Sequence, residues 1–170
     1  MNINAKLLTS VATILTAGLI CLEEPAVAQS NCKSAKGNVV SSEDISSPVA
    51  SEIVSNAGWL NGTAIRVFTG SNPNLQPTVF TFFSQVTFTT RRGQLKASSV
   101  NLFDFATGQG TVLMYVDSSA STGIFAGATG TLFENITRST VTGTTLTVQL
   151  ELSGQVCFAG DHDSERDQSN

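Results

Sequence analysis

The carboxylate of Glu134 is the first candidate for acid–base chemistry in this sequence. Glu134 alternates with Leu132 and Ile136, so the three side chains share one side of an extended strand. A carboxylate among apolar side chains has a raised pKa and can act as an acid or a base. Because lone buried carboxylates are rare, the favoured interpretation has Phe133 and Thr137 facing inward and Glu134 in solvent.

Asp104 and Tyr115 are the other candidate catalytic residues. Asp104 shares a strand face with Val100 and Leu102, and a position at the surface or near a turn is favoured for it. Tyr115 shares a face with Asp117, where both could line the mouth of a barrel. A buried tyrosine that bonds a local acceptor is the commoner outcome.

Other polar residues give weaker signals of chemistry. Arg66 and Arg138 are candidate partners of these acids, but most such ion pairs are exposed and contribute little. His162 is the only histidine and lies in a polar C-terminal segment without rigid converging ligands, so we expect no metal site and no cofactor. The sequence has no Gly-x-Ser-x-Gly elbow, which leaves a hydrolase triad without support.

Aromatic side chains are the candidate lining of a ligand pocket. The ten phenylalanines are best interpreted as filling of a core, although a pocket would be lined by similar residues. Both alternatives therefore stay open. The candidate ligand-binding residues are Phe80, Phe82, Phe88, Phe103, Phe105 and Tyr115.

The elements that must position these residues have the period-two pattern of strands. The clearest example places Leu146, Val148, Leu150 and Leu152 on one face. Six to eight such runs with short turns predict an all-β domain, and closure into an antiparallel eight-stranded barrel would remove exposed edges. A β-sandwich is the alternative.

The N-terminus has the pattern of an export signal. Lys6, the apolar run 7–22 and the small residues at 26–28 predict a signal peptide over residues 1–28, cut before Gln29. No later segment is long and apolar enough for an integral membrane helix. We therefore expect a secreted or periplasmic protein.

The mature chain divides into three predicted parts. Residues 29–57 should form a loosely ordered segment, with one or two helical turns at 47–54. The β-barrel domain is expected over 58–158, and a disordered acidic tail over 159–170.

Cysteine and charge usage narrow the classes of function. Cleavage would leave Cys32 and Cys157, and an even pair in an exported chain predicts a disulfide. The formal net charge is −4 and the basic residues are scattered, which argues against a nucleic-acid partner.

One stretch resembles a known family. A hallmark turn of the allene oxide cyclase and dirigent-like β-barrels is similar to the run Gly110–Asp117 followed by the glycine-punctuated run Ser121–Gly130. By this resemblance the chain looks like a bacterial exported member of that family. The resemblance implies an eight-stranded antiparallel barrel with an apolar cavity, often assembled as a homo-oligomer. Characterised members cyclise an unstable fatty-acid epoxide or guide phenoxy-radical coupling. The polar residues of the cyclase pocket have no matching positions here, so no catalytic residue is carried over.

Three functions remain open at this point. The first is an exported barrel, non-catalytic or without a defined activity, that binds a small apolar ligand. The second is a cyclase or isomerase that steers a lipid-like or phenolic intermediate by proximity and orientation. The third is a structural or adhesive surface protein. A non-catalytic function is favoured.

Overall fold

Eight antiparallel strands close into a single barrel. The computed structural model describes residues 31–72 and 76–160. Each strand pairs with the next along the chain, and the last pairs with the first. The predicted closed eight-stranded barrel is thus confirmed and the sandwich alternative was wrong. The strands are β1 (Asn31–Asp44), β2 (Val49–Ser55), β3 (Gly62–Asn72), β4 (Val79–Thr90), β5 (Gly93–Asp104), β6 (Gln109–Val116), β7 (Thr129–Thr142) and β8 (Thr145–Phe158).

The barrel begins well before residue 58. Strands β1 and β2 occupy most of the segment 29–57 that was predicted to be loosely ordered, and the helical turns expected at 47–54 are a turn followed by β2. The inward positions of β2 are Ala50, Glu52 and Val54. Because Ala50 is small and Glu52 is acidic, the sequence of β2 does not show the alternation of large apolar residues that predicts a strand. The predicted signal peptide, its cleavage before Gln29 and most of the predicted tail lie outside the described residues.

Alternation along the later strands follows the sequence pattern. The leucines and valine of β8 from Leu146 to Leu152 face the interior, as predicted. On β4, Val86 and Phe88 are buried, and on β5 the inward positions include Leu95 and Ala97.

One end of the barrel, here called the base, is closed by protein. Two short 3₁₀ helices, Gly58–Leu60 and Gly123–Phe125, lie at this end. The second belongs to the glycine-punctuated run, whose Gly123 has φ 64° and packs against Arg92 and Gly93 so closely that a Cβ would clash with their backbone. Inside, Trp59 contacts Phe158 edge to face with ring centroids 5.5 Å apart, and Phe125 lies 6.0 Å from Trp59.

The predicted disulfide is also at the base. Cys32 on β1 lies opposite Cys157 on β8, and their sulfur atoms are bonded. The bridge joins residues 125 positions apart, across the seam where the last strand meets the first.

Part of the outer surface is apolar. Val100 lies directly opposite Leu113, which in turn lies opposite Phe133 on β7. Val100 and Phe133 are exposed, by 40% and 43%. Within the described ranges, no helix has the length and hydropathy to cross a bilayer.

Candidate functional site

The opposite end of the barrel, here called the mouth, holds a cavity of about 590 Å³. It reaches the β1–β2 turn at Ile45 and Pro48 and the β5–β6 turn at Phe105 and Gly108. Most of its wall is apolar. Six successive strands contribute Phe68, Phe82, Phe103, Val112, Ile136 and Val148.

A buried polar group, here called the floor cluster and comprising Glu52, Arg66, Asn101 and Glu134, lies at the deep end of this cavity. The Arg66 guanidinium is at its centre. Its Nε donates to Glu52 Oε1 at 2.6 Å, its Nη1 to Asn101 Oδ1 at 2.8 Å and its Nη2 to Glu134 Oε2 at 2.6 Å. Glu52, Arg66 and Asn101 line the cavity, and Glu134 bonds the arginine.

A second layer of hydrogen bonds holds Asn101 in place. Its Nδ2 donates to Ser84 Oγ at 2.9 Å and to the Phe82 carbonyl at 3.2 Å. Ser84 and Ser99 share a hydroxyl hydrogen bond of 2.5 Å. These contacts fix the orientation of the amide, so its oxygen is directed at Arg66.

Two carboxylate oxygens in the floor cluster have no hydrogen-bond partner. These are Glu52 Oε2 and Glu134 Oε1, and both are buried. Buried polar atoms are nearly always bonded, since an unpartnered one costs free energy. The cluster therefore has spare capacity to accept hydrogen bonds.

Burial and neighbouring charges change the titration of these groups. Burial raises the pKa of Glu134 to about 7, although Arg66 opposes the rise; the charge of Glu52 adds to it. Burial also raises the pKa of Glu43, which lines the cavity above the cluster. Burial alone would lower the pKa of Arg66, because it disfavours the charged form. The attraction of Glu134 and Glu52 outweighs this effect, so the pKa of Arg66 is raised.

The favoured interpretation of Glu134 was wrong. The side chain is fully buried inside the barrel, while Phe133 faces outward and Thr137 is exposed. Glu134 is not a lone carboxylate, because Arg66 reaches it from β3. The expected surface ion pair of Arg66 is instead a buried one.

Asp104 and Tyr115 are not part of the floor cluster. Asp104 accepts hydrogen bonds from the Ala106 N–H and the Thr107 hydroxyl, each at 2.9 Å, and these bonds lower its pKa. It stabilises the β5–β6 turn, which confirms the favoured position near a turn. Tyr115 is 57% exposed on the outer face of β6, so the expected buried tyrosine was wrong.

The candidate ligand-binding aromatics separate into three groups. Phe82, Phe103 and Phe105 line the cavity; Phe80 packs edge to face on Phe105 at 5.1 Å, at the mouth. Phe88 is fully buried in the core, and Tyr115 is on the outside. Sequence reasoning missed Phe68 and also Glu52 and Asn101. The one signal for these residues was alternation along β2, β3 and β5, which places each of them on the same face as buried apolar residues of its strand.

Comparisons of the chain with protein-family models, curated proteins and solved structures found no match. The resemblance to allene oxide cyclase and dirigent-like barrels therefore stays a prediction. Across 31–72 and 76–160, no three His, Cys, Asp or Glu side chains are grouped so that they could hold a metal ion.

Proposed function

We propose that this protein binds a small ligand in the mouth cavity, with an apolar body along the wall and one polar end at the floor cluster. The observation that carries the proposal is the 590 Å³ cavity, whose apolar wall ends on buried Glu52, Arg66 and Asn101. Ligand pockets usually measure about 300–1,000 Å³ and combine apolar walls with a few placed polar groups.

The wall supplies the free energy of binding in this proposal. Phe82, Phe103 and Phe105 offer aromatic surface, and removing apolar area from water contributes about 25 cal/mol per Å². The cavity is formed by paired strands, so little backbone has to be ordered on binding. The polar floor then orients the ligand rather than adding most of its affinity.

We place this function outside the cytoplasm. The disulfide between Cys32 and Cys157 supports that location, because such bridges persist mainly in oxidising compartments. The export signal expected over residues 1–28 agrees with it.

Nile red, a neutral solvatochromic dye, tests the proposal. Saturable enhancement of its fluorescence by the protein, at one dye per chain, is expected. Val148→Trp fills the cavity from β8 and should abolish the enhancement. Val100→Trp makes the same change on the outer face of β5 and should leave it intact. Equal enhancement by both variants, each shown to be folded by circular dichroism, would contradict binding in the cavity.

A cyclase or isomerase function is the second candidate. The observation that favours it is the buried Arg66–Glu134 pair at the floor, because the Arg66 guanidinium lines the cavity and can stabilise negative charge that develops on an opening epoxide. Incubation with an unstable fatty-acid allene epoxide, followed by chiral chromatography, tests it. An excess of one enantiomer of the cyclic product is expected, and a racemic product would contradict it.

A further inference from the structure

The acids around the mouth cavity outnumber the bases. Among the described residues that line the cavity or bond its floor, Glu43, Glu52 and Glu134 are acidic and Arg66 is the one basic side chain. Arg138 is exposed on β7 and does not line the cavity. Once all three carboxylates are ionised, the interior carries a net negative charge; the raised pKa values of Glu43 and Glu134 move that state to higher pH.

The atoms without a hydrogen-bond partner have the same bias. Each nitrogen of the Arg66 guanidinium donates one hydrogen bond to a protein oxygen, which uses three of its five N–H groups. Glu52 Oε2 accepts no hydrogen bond, and Glu52 is one of the residues that line the cavity. An ionised carboxylate accepts hydrogen bonds and donates none. Glu52 therefore has an unused acceptor buried at the cavity floor, and a donor on a ligand bonds it once the Glu52 side chain turns toward the cavity.

We propose that the ligand of this cavity carries a protonated amine at its polar end, held by Glu52 with Glu43 above it. The inference deepens the proposed binding function and rests on it. A cationic donor completes the hydrogen bonding of Glu52 and offsets the excess negative charge. A carboxylate at the same place would face like charges and an unused acceptor, so binding of a fatty acid with its carboxylate at the floor is disfavoured.

Binding of a cation should also release a proton from Glu134. The charged groups that face Glu134 are Arg66 from β3 and Glu52 from β2, while the residues opposite it on β6 and β8 are the apolar Val112 and Leu152. An added cation favours the ionised form of Glu134. Alkylamines stay protonated up to about pH 10, so affinity for an amine should rise as pH increases through the titration of Glu134.

Three ligands with the same chain and different head groups test the proposal. Decylamine and decanoic acid, each below its critical micelle concentration, and decanol, below its solubility limit, are titrated against bound Nile red at neutral pH. The amine should displace the dye at about tenfold lower concentration than the alcohol, and the acid should be weakest. Equal potency of all three, or the acid as the strongest, would overturn the amine proposal while leaving cavity binding intact.

Matched variants locate the preference. Glu52→Gln should reduce the advantage of decylamine over decanol by about tenfold, and Glu43→Gln should reduce it less. Glu151→Gln removes an exposed acid from β8 and should leave the advantage unchanged. An unchanged advantage in both cavity variants would overturn the proposal. If Glu52→Gln does not fold, Glu43→Gln still tests the proposal, because Glu43 is not one of the residues that the Arg66 guanidinium bonds. Failure of Nile red itself to bind is the separate result that removes the proposed function.

Discussion

The base and the mouth of this barrel are built from the same eight strands, yet one is filled and the other is hollow. At the base, Trp59 and Phe125, one from each 3₁₀ helix, meet Phe158 of β8 ring to ring. At the mouth, Phe82, Phe103 and their neighbours lie around the wall of a cavity. The difference teaches that the connections between strands determine whether an end of the barrel is filled. Phe125 fills the base from the connection between β6 and β7, whereas the phenylalanines at the mouth project from strands or line a turn.

The floor cluster marks the boundary between the two ends. Burying Glu52, Arg66 and Glu134 costs desolvation free energy that their mutual attraction only partly offsets. An apolar layer of the same volume would stabilise the fold at least as well. The floor cluster therefore adds little net stability, which agrees with the proposed role in ligand recognition.

The largest expected effect concerns the covalent link at the base. The double variant Cys32→Ser, Cys157→Ser should lose about 4–5 kcal/mol of unfolding free energy, because the bridge closes a loop of nearly the whole domain. Urea unfolding of the oxidised protein and the variant measures the loss. Wild-type protein under reducing conditions is the control and should match the variant. A loss of less than about 1 kcal/mol of unfolding free energy would contradict the claim that the disulfide stabilises the base.

Truncation of one phenylalanine at each end compares the two regions directly. Phe125→Ala removes a fully buried ring from the base and should cost about 3–5 kcal/mol. Phe105→Ala removes a ring that is 54% exposed at the mouth and should cost about 1 kcal/mol or less. Both are measured by chemical denaturation. Equal costs would show that the mouth is packed as tightly as the base.

The floor cluster should make stability depend on pH. The pKa of Glu134 is raised from 4.5 to about 7 in the folded state, so folding favours its protonated form. The resulting stabilisation is complete below pH 4.5 and is lost as the pH rises to about 7. Glu134→Gln should lack this loss, and the difference should reach a few kcal/mol, since one pKa unit corresponds to about 1.4 kcal/mol.

Unfolding free energies of wild type and Glu134→Gln across that pH range give the comparison. Glu151→Gln, which removes an exposed acid from the outer face of β8, is the control for loss of one charge. Parallel pH profiles for wild type and Glu134→Gln would contradict a buried, titrating Glu134.

The smallest expected effect is on the outer surface. Tyr115→Thr replaces an exposed residue on β6 that belongs to neither end of the interior. The free energy of unfolding should change by about 0.5 kcal/mol or less, and Nile red affinity should not change. A larger change in dye affinity would mean that the binding site extends to the outside of the barrel.

The parts of the fold that could be predicted from the sequence are those where the interior is apolar. Strand β8 shows its inward leucines directly, and β4 shows its phenylalanines. Strand β1 was missed although it pairs along its whole length with β8, because Gly37 and Ala35 give little apolar pattern. Local sequence does not show that a neighbouring strand will cover such a segment.

The floor cluster was hidden for a different reason. Glu134 and Arg66 are 68 positions apart and meet only across the interior of the closed barrel. The alternation of β7 placed Glu134 on the same face as Leu132 and Ile136, but buried carboxylates are rare, so that face was not favoured for it. Arg66 was a candidate partner, but only for an exposed ion pair. Arg66, the partner of Glu134, lies on β3, and the second acid, Glu52, lies on β2, a strand that was not predicted.

The most direct test of the account is to map where an amine ligand binds. Backbone amide chemical shifts are recorded while decylamine is titrated into the protein. Changes should concentrate on mouth residues such as Ser41, Phe103 and Val148, while Trp59 and Phe125 at the base stay unshifted. Intrinsic fluorescence of Trp59, the single tryptophan, should likewise be unaffected. Shifts centred on the base, with none around the mouth cavity, would contradict the account.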